Sequence, residues 1–412
     1  MSPFESLTLP NGSIIHNRIA KAAMEENMAD AAHGPSAALM TLYKAWADGG
    51  AGLILTGNVM IDRRAMTGPG GVVLEDERNL AAFRAWARVG QANGAQMWLQ
   101  LNHPGRQVMK NMGQETQAPS AVALDLGKHS KLFPMPKAMT ESGIHDIIQR
   151  FVKAARIAET AGFAGVQIHA AHGYLISQFL SPLTNRRDDR WGGSLENRAR
   201  LLLETVKEVR AAVSPGFSVA VKLNSADFQR GGFDADDAKR VVEMLNGLDV
   251  DLVELSGGSY EAPAMQGSAR DGRTLSREAY FLEFARDIAA VARMPVMVTG
   301  GIRRIEVVQK VLDSGVAMAG IGTALAIRPD LPVVWRQGAD PRPELPPIRW
   351  KSKVLASLAS MAVVKYQLRR LSAGLTPVPG VSPAWALVIA QFKSARLTRT
   401  YRRWMTSSAA GQ

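Results

Sequence analysis

Along residues 1–340, short apolar runs alternate with amphipathic stretches of helical period. Eight runs read as strands: 19–24 (IAKAAM), 52–60, 96–103, 165–171, 219–224, 251–258, 295–301 and 317–323. Between them, 36–48, 79–93, 140–161, 195–213, 235–247, 277–292 and 304–314 have the length and period of helices, and a shorter piece follows 323. The strand runs are nearly continuous in apolar residues instead of alternating, as expected for parallel strands covered on both faces. Eight consecutive βα units predict an α/β fold, a single closed (β/α)₈ barrel of the TIM type, with functional residues at the C-terminal ends of the strands. A doubly wound open sheet is the alternative. Against it, no G-x-G-x-x-G follows the first run, and polar residues or glycines close nearly every strand.

The pattern departs from the βα period twice. Residues 104–139, rich in Pro, Gly, Met and Lys, are too long for an ordinary βα connection and predict a lid or rim over the site. Beyond 340 the alternation stops, dividing the chain into 1–340 and 341–412. DPRPELPPIRW reads as a semi-rigid linker, followed by helical pieces near 351–371 and 383–404. The uncharged run 371–392 is interrupted by Gly374, Pro377, Pro379, Gly380 and Pro383, so a helical hairpin is expected there and not a membrane span.

The absence of cysteine from all 412 residues excludes disulfides, thiol nucleophiles, zinc-thiolate sites and cysteine-ligated iron–sulfur clusters. The formal net charge of +12 suggests an anionic partner until the charges are located. No Asp or Glu follows Glu344, whereas eleven Lys and Arg do, so residues 1–344 carry 12 − 11 = +1. The C-terminal extension is the basic element and the body is nearly neutral, so no nucleic acid is expected at the body. Packing of the tail helices on the barrel or on a second copy is the first expectation, peripheral contact with an anionic membrane the second, and an acidic protein or nucleic-acid partner of the tail the third. The N-terminus lacks a basic and then apolar leader, so the expected compartment is the cytoplasm.

The densest chemistry follows the fourth strand, in H-A-A-H-G-Y at 169–174. Side chains on a strand alternate, so His169 and His172 converge only where the strand turns into its loop. Two imidazole N–H groups there can hold a carbonyl or nitro oxygen and stabilise charge developing on it. Tyr174, protonated at neutral pH, suits a general acid. The alternatives are a metal site and a pair of structural histidines. A metal needs three or four ligands, and no Cys or acidic residue lies within the motif, so no metal is expected.

This segment, continuing as S-P-x-x-N-x-R-x-D-x-W-G-G-S-x-x-N-R from Ser181 to Arg198, resembles the Old Yellow Enzyme family of FMN-dependent ene-reductases, with the likeness extending over about residues 3–335. The resemblance implies FMN at the barrel mouth, NADH or NADPH as donor, and reduction of the C=C bond of an α,β-unsaturated carbonyl or nitro compound. Hydride would come from flavin N5, with Tyr174 protonating the other carbon and His169 and His172 holding the oxygen. It further implies that Ala22, Ala23 and Met24 line the flavin, Gly57 and Asn58 face it, Gln100 meets its pyrimidine edge, and Lys222 lies near N1 and O2. Gly300, Gly301, Gly322 and Thr323 would surround the phosphate, Thr323 standing where the family has arginine, with Arg303 or Arg304 helping. Glu25 stands where some relatives carry a redox-tuning cysteine, and its role is open. The related iron–sulfur flavoproteins are excluded by the missing cysteines. The non-enzymatic alternative is a flavin barrel that acts through its basic tail.

Overall fold

Near-continuous apolar runs can bury both faces only between a packed interior and a layer of helices, and this is the arrangement they adopt. A computed structural model describes residues 1–264 and 278–409. The eight runs form β1 (Ile19–Lys21), β2 (Leu53–Leu55), β3 (Gln96–Asn102), β4 (Gly165–Ala170), β5 (Ser218–Asn224), β6 (Leu252–Ser256), β7 (Val296–Thr299) and β8 (Met318–Ile321). Neighbours in sequence pair in parallel, β8 pairs with β1, and the ring of eight is closed.

Around it lie α1 (Ala37–Asp48), α2 (Leu80–Gly90), α3 (Glu141–Thr160), α4 (Leu195–Ala212), α5 (Ala235–Leu245), α6 (Leu282–Ala289), α7 (Ile305–Asp313) and the short α8 (Thr323–Ile327). Ser36, Thr140, Ser194 and Asp234 start four of these by accepting the N–H three residues on. The stretch expected at 79–93 ends at Gly90, because Asn93 takes a left-handed conformation in a following 3₁₀ turn. The helix expected from 277 begins at Leu282; residue 277 itself lies outside the described residues.

The barrel interior changes character with height. At the N-terminal end an antiparallel ribbon, Leu7–Thr8 with Ile14–Ile15, inserts Leu7, Leu9 and Ile15 against Leu53, Trp98, Ala220, Leu252 and Met318, a dry plug. Higher up, the inward positions become Gln100, Gln167, Lys222, Glu254 and Thr299. The apolar floor makes a polar ceiling affordable, and it confines ligand chemistry to the C-terminal mouth.

The tail forms α9 (Lys353–Ser372) and α10 (Pro383–Ala409), packed on each other, with α9 against α1 and α8. Ala359, Ala362, Val363, Gln367 and Leu368 of α9 are buried, and burying a side chain such as Leu368 contributes roughly 1.5–3 kcal/mol. Tyr401 of α10 is fully buried with Met60, Met66, Val73, Val108 and Met112. The tail thus holds the loop after β2 and the start of the 104–139 insertion. Among the described residues, no helix is long and apolar enough to cross a membrane.

Candidate active site

His169 lies near the end of β4, and the two residues that follow the strand's last turn, His172 and Gly173, both adopt left-handed backbone conformations with φ of 61° and 72°. This bend returns the His172 ring to His169, centroids 5.0 Å apart, and brings the Tyr174 ring perpendicular to His169 at 4.8 Å. Glycine is required at 173, since a Cβ there would meet Gln107 Oε1 at 2.8 Å and Ser259 at 2.9 Å. Gln107 Nε2 also donates to the His172 carbonyl at 3.1 Å, fastening the insertion to the turn.

His169 Nδ1 accepts from the Ala171 N–H at 3.2 Å, which leaves Nε2 to carry the proton of the neutral ring. His172 Nε2 lies 2.8 Å from Ser256 Oγ. Burial, the neighbouring His172 and the Lys222 charge hold His169 far below the ordinary histidine range; burial and Lys222 do the same for His172. Both rings are therefore neutral at physiological pH. The Tyr174 phenol is pushed well above its ordinary value by burial, by the neighbouring Tyr260 and by the Glu25 charge, against a hydrogen bond from Asn58. It keeps its proton, 3.4 Å from Tyr260 Oη.

Beneath this group a hydrogen-bonded chain crosses the barrel. Gln100 Nε2 donates to Gln167 Oε1 at 2.7 Å, and Gln167 Nε2 to Glu254 Oε2 at 2.8 Å. Lys222 Nζ and Thr299 Oγ1 both donate to Glu254 Oε1, at 2.7 and 2.6 Å. The positive charge expected at Lys222 is thus paired with a carboxylate, which reduces the field it sends into the mouth. Asn102, on the inward side of β3 by alternation with Gln100, is fully buried with both amide atoms lacking a partner.

On the opposite wall, β1 runs into Ala22, Ala23 and Met24, the first buried and the others half-buried. Gly57 and Asn58 are buried beside them. A Cβ on Gly57 would collide with the Glu26 carboxylate and the Met24 carbonyl, and its N–H donates to Tyr43 Oη at 2.9 Å and Glu26 Oε1 at 3.2 Å. Tyr43 also donates to Glu26, and Lys21 Nζ donates to the Leu55 carbonyl at 2.7 Å. Burial brings Lys21 down to about 8 and pushes Glu26 up, each opposed by the other's charge. This network braces the ends of β1 and β2.

Gly300 and Gly301 have φ of 149° and 69°, conformations that side chains rarely adopt, and Gly322 precedes α8 with Thr323 exposed beside it. Arg303 and Arg304 do not join this group as free cations. Both bond Glu278, at 2.9 and 2.8 Å, and Arg303 also reaches Glu344 at 2.8 Å. Much of the long motif after Tyr174 is loop scaffolding: Asn185 Nδ2 donates to the Phe179 and Trp191 carbonyls at 2.8 and 2.7 Å, and Arg187 to those of Pro119 and Met139 at 2.9 and 2.7 Å. Among the described residues, no cluster of acidic and histidine side chains suits a metal.

The model of the NADH:flavin oxidoreductase / NADH oxidase family matches residues 3–340. The chain belongs to this family. It is 35% identical over 348 residues to the NADH-dependent flavin oxidoreductase iliE of Hypocrea jecorina, covering 79% of this chain and 86% of that protein. It is 36% identical over 351 residues to the protein of the same name from Neonectria sp., covering 79% of this chain and 46% of that one, so the chain spans less than half of that relative. The solved structure of an old yellow enzyme homologue from Zymomonas mobilis superposes with a TM-score of 0.71 at 28% identity, covering 82% and 93% of the two chains.

FMN is the family's cofactor and a nicotinamide nucleotide its reductant, and the mouth fits a flavin of this family. The unpartnered Asn102 amide offers a buried donor and acceptor next to Gln100, as a pyrimidine edge requires. Four members of the site escaped sequence reasoning. Glu254 was visible as a lone acid in an apolar strand, and Tyr260 as an aromatic after Gly257-Gly258. Ser256 and Asn102 carried no signal, because one hydroxyl or amide at a strand end is ordinary.

Proposed function

We propose that this flavin oxidoreductase uses NADH or NADPH to reduce the activated C=C bond of α,β-unsaturated carbonyl or nitro compounds. Ala22, Ala23, Met24, Gly57, Asn58, Gln100 and Lys222 would hold FMN, whose chemistry would supply the hydride drawn from the nicotinamide. His169 and His172, as neutral N–H donors, hold the electron-withdrawing oxygen and stabilise the charge that gathers on it. Tyr174 delivers a proton to the alkene carbon that bears the carbonyl or nitro group, while the hydride goes to the other alkene carbon. Gly300, Gly301, Gly322 and Thr323 would hold the cofactor's phosphate through backbone N–H groups and a hydroxyl, Arg303 and Arg304 being paired with Glu278. The observation that carries this reading is the protonated Tyr174 phenol packed 4.8 Å from a neutral His169 at the barrel mouth. The 104–139 insertion serves as a lid: its Arg106 bonds Glu261 at 2.6 Å and its Phe133 ring lies 6.5 Å from Tyr260.

Tyr174→Phe tests the assignment. Flavin reduction by NAD(P)H should stay near wild type while reoxidation by an enone slows by about two to four orders of magnitude, the usual worth of a general acid. Equal slowing of both half-reactions refutes it.

A separate observation favours peripheral contact between the tail and an anionic bilayer. Trp385, Val388 and Phe392 share one face of α10 and are 58%, 43% and 76% exposed, beside a tail with no acidic residue after Glu344. A second copy docked through the same face would set cations against cations, whereas an anionic surface complements them. Trp385→Ser with Phe392→Ser should abolish low-salt co-sedimentation with anionic vesicles; absence of wild-type binding, or binding unchanged in the variant, refutes the contact.

A further inference from the structure

The tail also reaches the active site. From α9, Lys365 Nζ donates to Glu25 Oε2 at 2.7 Å and to Asn27 Oδ1, and the Thr67 hydroxyl donates to the other Glu25 oxygen. Glu25 follows directly on the Ala22–Met24 segment at the mouth. Its charge reaches across to raise both Tyr174 and Tyr260. Burial pushes the Glu25 carboxyl up, but the Lys365 ammonium, its hydrogen bond and those of Thr67 and Asn27 outweigh burial and bring it below the ordinary carboxylate range.

Lys365 is firmly placed. Two residues on, Gln367 clips the hairpin turn by donating to the Val378 carbonyl at 2.9 Å and accepting its N–H at 2.7 Å. On α10, Tyr401 donates to the Arg63 carbonyl at 2.8 Å, and the Arg63 guanidinium lies over the Trp404 ring at 4.7 Å. The helix pair is thereby fixed to the loops that follow β1 and β2, the walls of the mouth.

We propose that the C-terminal hairpin is a working part of the active site, in which Lys365 acts as a positioning residue that keeps Glu25 ionised and screens its charge beside Tyr174. The inference rests on the assignment of Tyr174. With the pair intact, a ligand oxygen that bears negative charge at the histidines meets a nearly neutral ion pair. Without Lys365, it meets a bare carboxylate at high pH and a neutral carboxyl at low pH, because burial then drives Glu25 to take up a proton.

The test follows a phenolic ligand through its charge-transfer absorption on the FMN-loaded enzyme between pH 5.5 and 8.5. Dividing each variant's dissociation constant by that of wild type at the same pH removes the ligand's own ionisation. For Lys365→Met the ratio should rise about tenfold from pH 5.5 to 8.5, the size expected of one partly screened charge across the mouth. Lys365→Arg should leave the ratio flat, and so should Glu25→Gln with Lys365→Met. A flat ratio for Lys365→Met, or an equal rise in the double variant, overturns the proposal. Thermal unfolding of the apoprotein gives a second readout and keeps the test open if Lys365→Met binds flavin poorly: its loss relative to wild type should be larger at pH 8.5 than at 5.5 and independent of pH in the double variant, and the reverse overturns it. Failure of wild type itself to bind phenols, or a Tyr174→Phe variant with normal alkene reduction, would instead strike at the Tyr174 assignment.

Discussion

Replacing Lys222 by Met tests the buried hydrogen-bonded chain beneath the mouth. Lys222 and Glu254 side chains are 3% and 0% exposed, 2.7 Å apart, so the variant leaves a carboxylate whose remaining partners, Gln167 and Thr299, are neutral. Removing one side of such a pair costs roughly 3–5 kcal/mol. The variant should therefore be about 4 kcal/mol less stable than wild type at pH 8. Urea unfolding followed by circular dichroism measures the difference. Lys222→Met with Glu254→Gln removes the stranded charge and should recover most of the loss. A loss under about 1 kcal/mol, or a double variant no better than the single one, would refute the reasoning.

Gly57→Ala should lower stability by roughly 1–3 kcal/mol and weaken FMN binding, because the new methyl displaces the Glu26 carboxylate and the Met24 carbonyl; thermal melting and flavin fluorescence titration check this. His103, brought down to about 4 mainly by burial, stays neutral in the fold while the unfolded chain protonates below pH 6.5, so stability is lost as pH falls through that window. His103→Asn, whose oxygen can still accept the Gly105 N–H, should lose about 2 kcal/mol less than wild type between pH 7 and 5, and equal losses would contradict the assignment. His169→Ala with His172→Ala should abolish charge-transfer binding of phenols while FMN stays bound; phenol binding like that of wild type would move the oxygen grip elsewhere.

Strand order, barrel closure and the place of His169, His172 and Tyr174 were legible in the chain because each rests on local periodicity: apolar runs too continuous for a half-exposed sheet, and a histidine pair whose spacing fits only a strand's end. The long motif marked the family, yet Asn185 within it serves carbonyls of its own segment and Arg187 those of the 104–139 insertion, a distinction that spacing does not carry. Pairings across the barrel were decided by tertiary structure alone. Glu254 meets Lys222 from a neighbouring strand 32 residues away, and Lys365 meets Glu25 across 340. Charge counting likewise showed that the tail is basic without showing where any one charge goes. Lys365 turns inward to a carboxylate at the mouth, while Trp385 and Phe392 of the same hairpin face solvent. Periodicity specifies which face of an element is apolar; only the packed fold determines what that face, or the polar one opposite, encounters.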